Sequence, residues 1–169
     1  MIVTRHARED DVSVLVDIGL QAWERAVSGV ADARAMRHVA EVAFLSFLRS
    51  RWLSVCVVEF EGQAVGWAAR EDNDGHISDL WVRPAVQRSG FGSILLAELE
   101  ARIAAEGFEA AAIKTHAQNA PAIDFFRKHG YAISWLSTAY APKLDRDVES
   151  VGMSKLLEEL VPQSGQQWF

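Results

Sequence analysis

The apolar positions of the chain follow two different periods. In the first third, Val12, Leu15, Val16, Ile18 and Gly19 recur at helical spacing after the acidic cluster Glu9, Asp10 and Asp11. That combination predicts a helix running towards Ala26, preceded by a strand over Ile2–His6. "SGVAD" interrupts the pattern. "ARAMRHVAEVAFLSFLRSR" then reads as a second helix, with Met36, Val39, Ala40, Ala43, Phe44 and Phe47 on one stripe. Next, the runs "SVCVVEF" and "AVGWAARE", separated by Glu61, Gly62 and Gln63, predict a β-hairpin. "EDNDG" is a turn and "HISDLWV" a further strand. Leu95, Leu96, Leu99 and Ile103 mark a helix over about 89–106, its other faces carrying Glu98, Glu100, Arg102 and Glu106. "AAAIKTH" is a short buried strand, and "APAIDFFRKHG" a short helix stopping at Gly130. "YAISWL" and "VGMSKLL" complete the set as late strands.

The order is strand, two helices, three strands, helix, strand, helix, two strands. It implies an α/β (α+β) domain in which helices pack on a mixed sheet. No convincing linker breaks it, so residues 1–160 are expected to form one domain. The tail 161–169, "VPQSGQQWF", is loosely attached, although Trp168 and Phe169 could dock.

Composition narrows the function classes. Half of the 169 residues are hydrophobic and 24% are charged, ordinary values for a soluble globular chain. No apolar run reaches membrane-spanning length, and the charged N-terminus has no signal-peptide core, so a cytoplasmic protein is expected. The net charge of −6 argues against nucleic acid as a partner. Cys56 is the single cysteine, which excludes an internal disulfide. Within "VCVV" it reads as a packing thiol, and no metal site is expected.

The chemistry concentrates in "VRPAVQRSGFGSILL". Pro84 ends the preceding strand, and a loop feeds a helix start that carries Gly90 and Gly92. Unpaired N–H groups and the helix dipole favour an anion there, with Arg88 as a cation and Gln87 as a further donor. Taken alone, the segment reads equally as a plain strand–helix turn. A dinucleotide fingerprint would need a small residue where Leu95 stands, and a P-loop would need Gly-Lys-Ser/Thr.

A second segment, about thirty residues on, carries Asn119, Ala122, Phe125, Phe126, Gly130 and Tyr131. It resembles the N-x-x-A-x-x-F-Y-x-x-x-G-F motif of the GNAT superfamily of acyl-CoA-dependent N-acetyltransferases. Gln87-Arg88-Ser89-Gly90-Phe91-Gly92 is similar to that superfamily's Q/R-x-x-G-x-G/A motif. The resemblance covers nearly the whole chain. It implies a mostly antiparallel central sheet of about seven strands flanked by about four helices. It also implies that acetyl-CoA is the co-substrate, its pyrophosphate on the N–H groups of the loop from Arg88 through Ser93. The pantetheine arm would pair with Leu80, Trp81 and Val82 like an added strand. Asn119 would hydrogen-bond that arm or cap its helix, or both. Phe125 and Phe126 would line the thioester end.

The implied reaction is attack of a neutral amine on the thioester carbonyl. It needs a base, an oxyanion donor and an acid for the thiolate. By resemblance the donor is the N–H of Val82 or its neighbour. If alternation runs unbroken, His76, Ser78, Leu80 and Val82 share one face and Asp79 the other. Family members place a base at the positions of His76 and Ser78. Serine is a poor base, so His76 is the candidate, unless it is only a solvated residue after the Gly75 turn. His116 is a rival. Phe126 replaces the tyrosine of the family pattern, which leaves the acid unassigned. Tyr140, in the loop between the last strands, could reach the site, and Tyr131 reads as core.

Acceptor pockets in this family come from the first two helices and the last connection. Trp23 and Glu24, with Asp32 and Tyr140, are the candidate amine wall, Trp23 reading equally as a packing anchor. Most of the six tryptophans are expected to be packing residues or part of a homodimer surface. The expected activity is acetyl transfer from acetyl-CoA to a primary amine of a small molecule or protein, by direct attack. The alternative is a non-catalytic acyl-CoA-binding sensor of the same fold.

Overall fold

A computed structural model describes residues 1–29, 32–143 and 145–157 of the chain. The tail 161–169, with Trp168 and Phe169, lies outside the described residues. In chain order the elements are β1 (Ile2–His6), α1 (Val12–Ala26), α2 (Ala33–Arg51), β2 (Val55–Phe60), β3 (Gln63–Ala69) and β4 (Asp79–Val82). They continue with α3 (Phe91–Ala105), β5 (Ala110–His116), α4 (Ala120–Lys128), β6 (Ala132–Ala141) and β7 (Arg146–Leu156). The expected order of strands and helices is thus found.

Local signals set the helix starts. The Asp32 carboxylate accepts from the N–H groups of Arg34 and Ala35 at 3.1 and 3.2 Å and caps α2. Asn119 caps α4 through Ala122 N–H at 3.3 Å, with Pro121 in the first turn. Ahead of α1, Asp11 accepts from Arg8 N–H and from the Arg5 guanidinium, both at 2.7 Å. The Arg5 contact holds the Asp11 carboxyl below its usual pKa.

The strands do not form one sheet. They make a four-stranded sheet in the order β1-β2-β3-β4 and a three-stranded sheet in the order β5-β7-β6, all antiparallel within each. One parallel bridge, His76 with Ala112, joins them. It is held by Ile77 N–H to Ala112 O at 2.8 Å and Ala112 N–H to Gly75 O at 2.9 Å. The approach is close enough that a Cβ on Gly75 would stand 2.5 Å from Ala110 O, so glycine is required there.

The last two strands are longer than their apolar runs suggest. Pairing extends from Ser137 opposite Ser150 to Ala141 opposite Arg146, through residues with no apolar period. Tyr140 therefore lies on a strand beside a tight turn, not in a long loop.

Two cores result. Leu15, Ile18, Trp23, Phe44, Leu48, Val57 and Trp67 bind α1 and α2 to one face of the first sheet. Leu95, Leu96, Leu99 and Ile103 of α3 pack on its other face, and also on Ile113 and Met153 of the second sheet. Each such large side chain contributes ~1.5–3 kcal/mol by burial. The α3 core thus spans both sheets.

Candidate functional site

Past the bridge, β4 and β5 part. Each is the edge of its own sheet, and no ladder joins them among the described residues. Four residues beyond the bridge stand Leu80 on β4 and His116 on β5.

The β4 edge is open for a definite reason. Arg83 N–H donates to Val65 O at 2.8 Å, so in the antiparallel register the odd-numbered residues of β4 bond towards β3. The peptide groups of Leu80 and Val82 point the other way, into the split. One is already taken: Gln87 Nε2 donates to Val82 O at 3.1 Å. Gln87 thus ties the loop back to β4 instead of offering its amide outward.

Between β4 and α3 the backbone turns twice into the left-handed region, at Arg88 (φ 67°) and Gly90 (φ 87°). No backbone N–H from 88 to 93 has a backbone partner among the described residues. A row of unpartnered donors at a helix start, with the exposed Arg88 on its rim, is geometry that favours an anion. The two glycines differ in role. Gly90 is needed for its φ, whereas at Gly92 a Cβ would only touch the Phe125 ring, at 3.4 Å. Phe91 offers only its N–H, because its ring is buried in the α3 core and packs 5.7 Å from Phe60. Ser93 Oγ meets His129 Nε2 at 2.9 Å, and Phe125 packs 4.6 Å from the same ring. Sequence reasoning missed His129, although it lies inside the second motif, as the C-cap of α4.

Asn119 uses both its amide atoms within the chain. Besides its cap, its Nδ2 donates to Thr115 Oγ1 at 3.1 Å. Phe125 is half-buried beside Gly92. Phe126 is 6% exposed and packs edge-on between Phe125 and Tyr131, inside the α3 core. Tyr131 donates to Glu100 Oε2 at 2.7 Å, and burial pushes its hydroxyl pKa far up. It is a packing residue, as expected.

The opposite face of the split is different. The predicted alternation from His76 to Val82 breaks at Ser78. Ser78 N–H and Oγ both reach Ala69 O, at 3.0 and 3.2 Å, while Asp79 also pairs with Ala69. Two residues opposing one is a β-bulge. As a result Ile77 joins Leu80 and Val82 in the α3 core, and His76 does not share their face. His76 is exposed beside the bridge, and its N–H donates to Asp74 Oδ1 at 2.8 Å. Asp79, only 8% exposed, accepts from Ser78 Oγ and from Trp81 Nε1, both at 2.9 Å. Trp81 packs against the α1–α2 core.

His116 has the opposite parity to Ala111 and Ile113, which line the α3 core, so it lies on the Trp81 side. Both of its ring nitrogens are buried and lack a hydrogen-bond partner. Burial holds its pKa below the ordinary 6.5; a weak backbone contact with Ala26, at the end of α1, pulls the other way. Burial therefore favours the neutral form of this half-buried imidazole.

The proposed acceptor wall fares unevenly. Trp23 is 2% exposed and anchors the α1–α2 core, so packing accounts for it. Glu24 is partly exposed and paired with Arg37 across α1 and α2. Tyr140 is 53% exposed, and its hydroxyl donates to Asp145 Oδ1 at 2.6 Å, which raises its pKa. Cys56 is buried, its thiol pushed up to about 11 by desolvation, in keeping with a packing role. Among the described residues no helix is long and apolar enough to cross a membrane.

The sequence profile of the acetyltransferase (GNAT) family matches residues 20–131. No curated protein matches the chain by sequence. Solved structures do match in fold. An N-acetyltransferase from Rhodopseudomonas palustris is 22% identical, with TM-score 0.75, over 92% of this chain and 95% of that one. The PaiA N-acetyltransferase of Thermoplasma acidophilum, in complex with coenzyme A, is 16% identical with TM-score 0.70, over 92% and 99%. YncA of Salmonella typhimurium, described as a putative acetyltransferase with its cofactor acetyl-CoA, is 21% identical with TM-score 0.63, over 94% and 95%.

Proposed function

Because the chain belongs to the GNAT family of acetyltransferases, we propose that it transfers an acetyl group from acetyl-CoA to a primary amine by direct attack. The observation that carries this reading is the pairing of an open β4 edge with the unpartnered N–H row at 88–93. These residues fit an acyl-CoA. Its pyrophosphate would rest on the N–H row beside Arg88, and Leu80 and Val82 would offer edge hydrogen bonds to its amide arm. When bound, it supplies the thioester that an amine attacks.

The chain's own residues then have distinct tasks. Val82 N–H, on the free edge, donates to the oxygen that gains charge. His116 is the base, in preference to His76. Burial favours its neutral form, and one of its ring nitrogens takes the proton of the arriving ammonium. His76 lies at the closed end of the split, exposed to solvent. Phe126 cannot give a proton, so the leaving thiolate receives, through water, the second proton that the attacking nitrogen sheds as the amide forms.

The burial of Phe126 also supports a second reading, a non-catalytic acyl-CoA sensor. One experiment separates the two. Acetyl-CoA should raise the melting temperature, with little response to NAD or ATP, and a panel of amines should then release free CoA thiol. Stabilisation without thiol release from any amine would leave the sensor; equal stabilisation by all three nucleotides would remove both.

A further inference from the structure

On the His116 side of the split, one ammonium already sits on aromatic rings. Lys143, in the β6–β7 turn, places Nζ 4.8 Å from the Phe44 ring centroid and 6.0 Å from that of Trp81. Among the described residues it has no carboxylate partner. The rings alone hold its charge.

The seat is built before Lys143 reaches it. Phe44 is 1% exposed and stands edge-on to Trp67 and Trp81, at 6.0 and 5.3 Å. Gly19 packs against the same ring so closely that a Cβ there would lie 2.9 Å from it. Trp81 is fixed by its indole N–H bond to the buried Asp79. Only the flexible lysine chain can leave without disturbing a core, and it comes from a turn of the connection next to the split.

A ring face favours the charged form of a nitrogen. The nitrogen that attacks a thioester must be neutral, so this seat cannot serve the reacting amine. It suits a second nitrogen of the same acceptor, one that stays charged. We propose that Phe44 and Trp81 recognise a spectator ammonium of the acceptor, and that Lys143 fills this seat in the free chain. The acceptor class is then a compound with two cationic nitrogens joined by an alkyl chain, whether a free diamine or a lysine-rich peptide. This rests on the acetyl-transfer reading above.

The test begins without acetyl-CoA. In the free protein, ring currents should shift the Lys143 ε-methylene NMR signals upfield. Titration with 1,5-diaminopentane should return them to the ordinary position, and 1,5-pentanediol should not. A lysyl-lysine peptide forms the second arm: displacement by it alone points to a peptide acceptor, by the diamine alone to a small molecule. Turnover is then compared. The diamine should exceed pentylamine in kcat/KM by about tenfold, the scale of one cation–ring contact. Trp81→Leu should erase that preference and Trp81→Phe retain part of it. Lys143 signals unmoved by both amines, or equal kcat/KM for diamine and pentylamine, would overturn the proposal. Failure of every amine to release thiol would instead count against acetyl transfer, since the displacement is read independently.

Discussion

The two sides of the split between β4 and β5 are built from different material. On the α3 side the free polar groups are main-chain: edge amides of β4 and a row of loop N–H groups, supported by packed rings. On the α1–α2 side they are side chains from distant parts of the sequence, with His116 on β5, Trp81 on β4, Phe44 on α2 and Lys143 in the last turn. A main-chain site needs only the right backbone path, so it tolerates variation in most side chains. A side-chain site is fixed by identity, and it can change specificity one residue at a time. The contrast fits a common donor on one side and a particular acceptor on the other.

The sharpest test of that division is His116→Ala. It should lower kcat by ~10²–10³-fold while calorimetric affinity for acetyl-CoA stays within about twofold. His76→Ala should behave like the unmodified chain; an equal loss there would return the base role to the bridge. The complementary change, Gly90→Val, attacks the main-chain side. A β-branched residue at φ 87° is strained by ~1–2 kcal/mol or more. Acetyl-CoA binding should weaken by about tenfold, and KM for the amine should move little. A matching rise in the amine KM would show that the two sides are not separable.

The smallest effect is on stability against pH. The folded pKa of His116 lies below its unfolded value of 6.5, so the unfolded chain binds protons more readily. The stabilisation is complete above pH 6.5 and is lost progressively as pH falls below it. Urea midpoints between pH 7.5 and 5 should therefore decline, and less steeply in His116→Gln. An unchanged slope would mean that the imidazole protonates freely in the folded chain.

The main-chain side was largely legible in the sequence. Pro84, Gly90 and Asn119 act locally, and the helix they frame is set by the stripe Leu95, Leu96, Leu99 and Ile103. The side-chain side was not. Strand alternation placed His76 beside Val82, but the bulge at Ser78 is decided by pairing with Ala69, nine residues away. Period-two counting has no access to that choice. Likewise, residues 137–141 form strand through cross-strand pairing without an apolar pattern, so the sequence alone puts Tyr140 in a loop. Trp23 and Trp81 are alike as letters. Only the packed structure separates a tryptophan sealed in a core from one that shares its face with an ammonium.

The split has one more consequence, for a chain with nothing bound in it. Two neighbouring strand edges with unpaired amides are a template on which another copy could add a strand and begin to aggregate. Here the hazard is kept small. β4 is only four residues long, its final carbonyl is closed off by Gln87, and β5 carries the exposed charge of Lys114 midway along its edge. The brevity of β4 thus protects against self-association while leaving enough edge to pair with a single extended ligand.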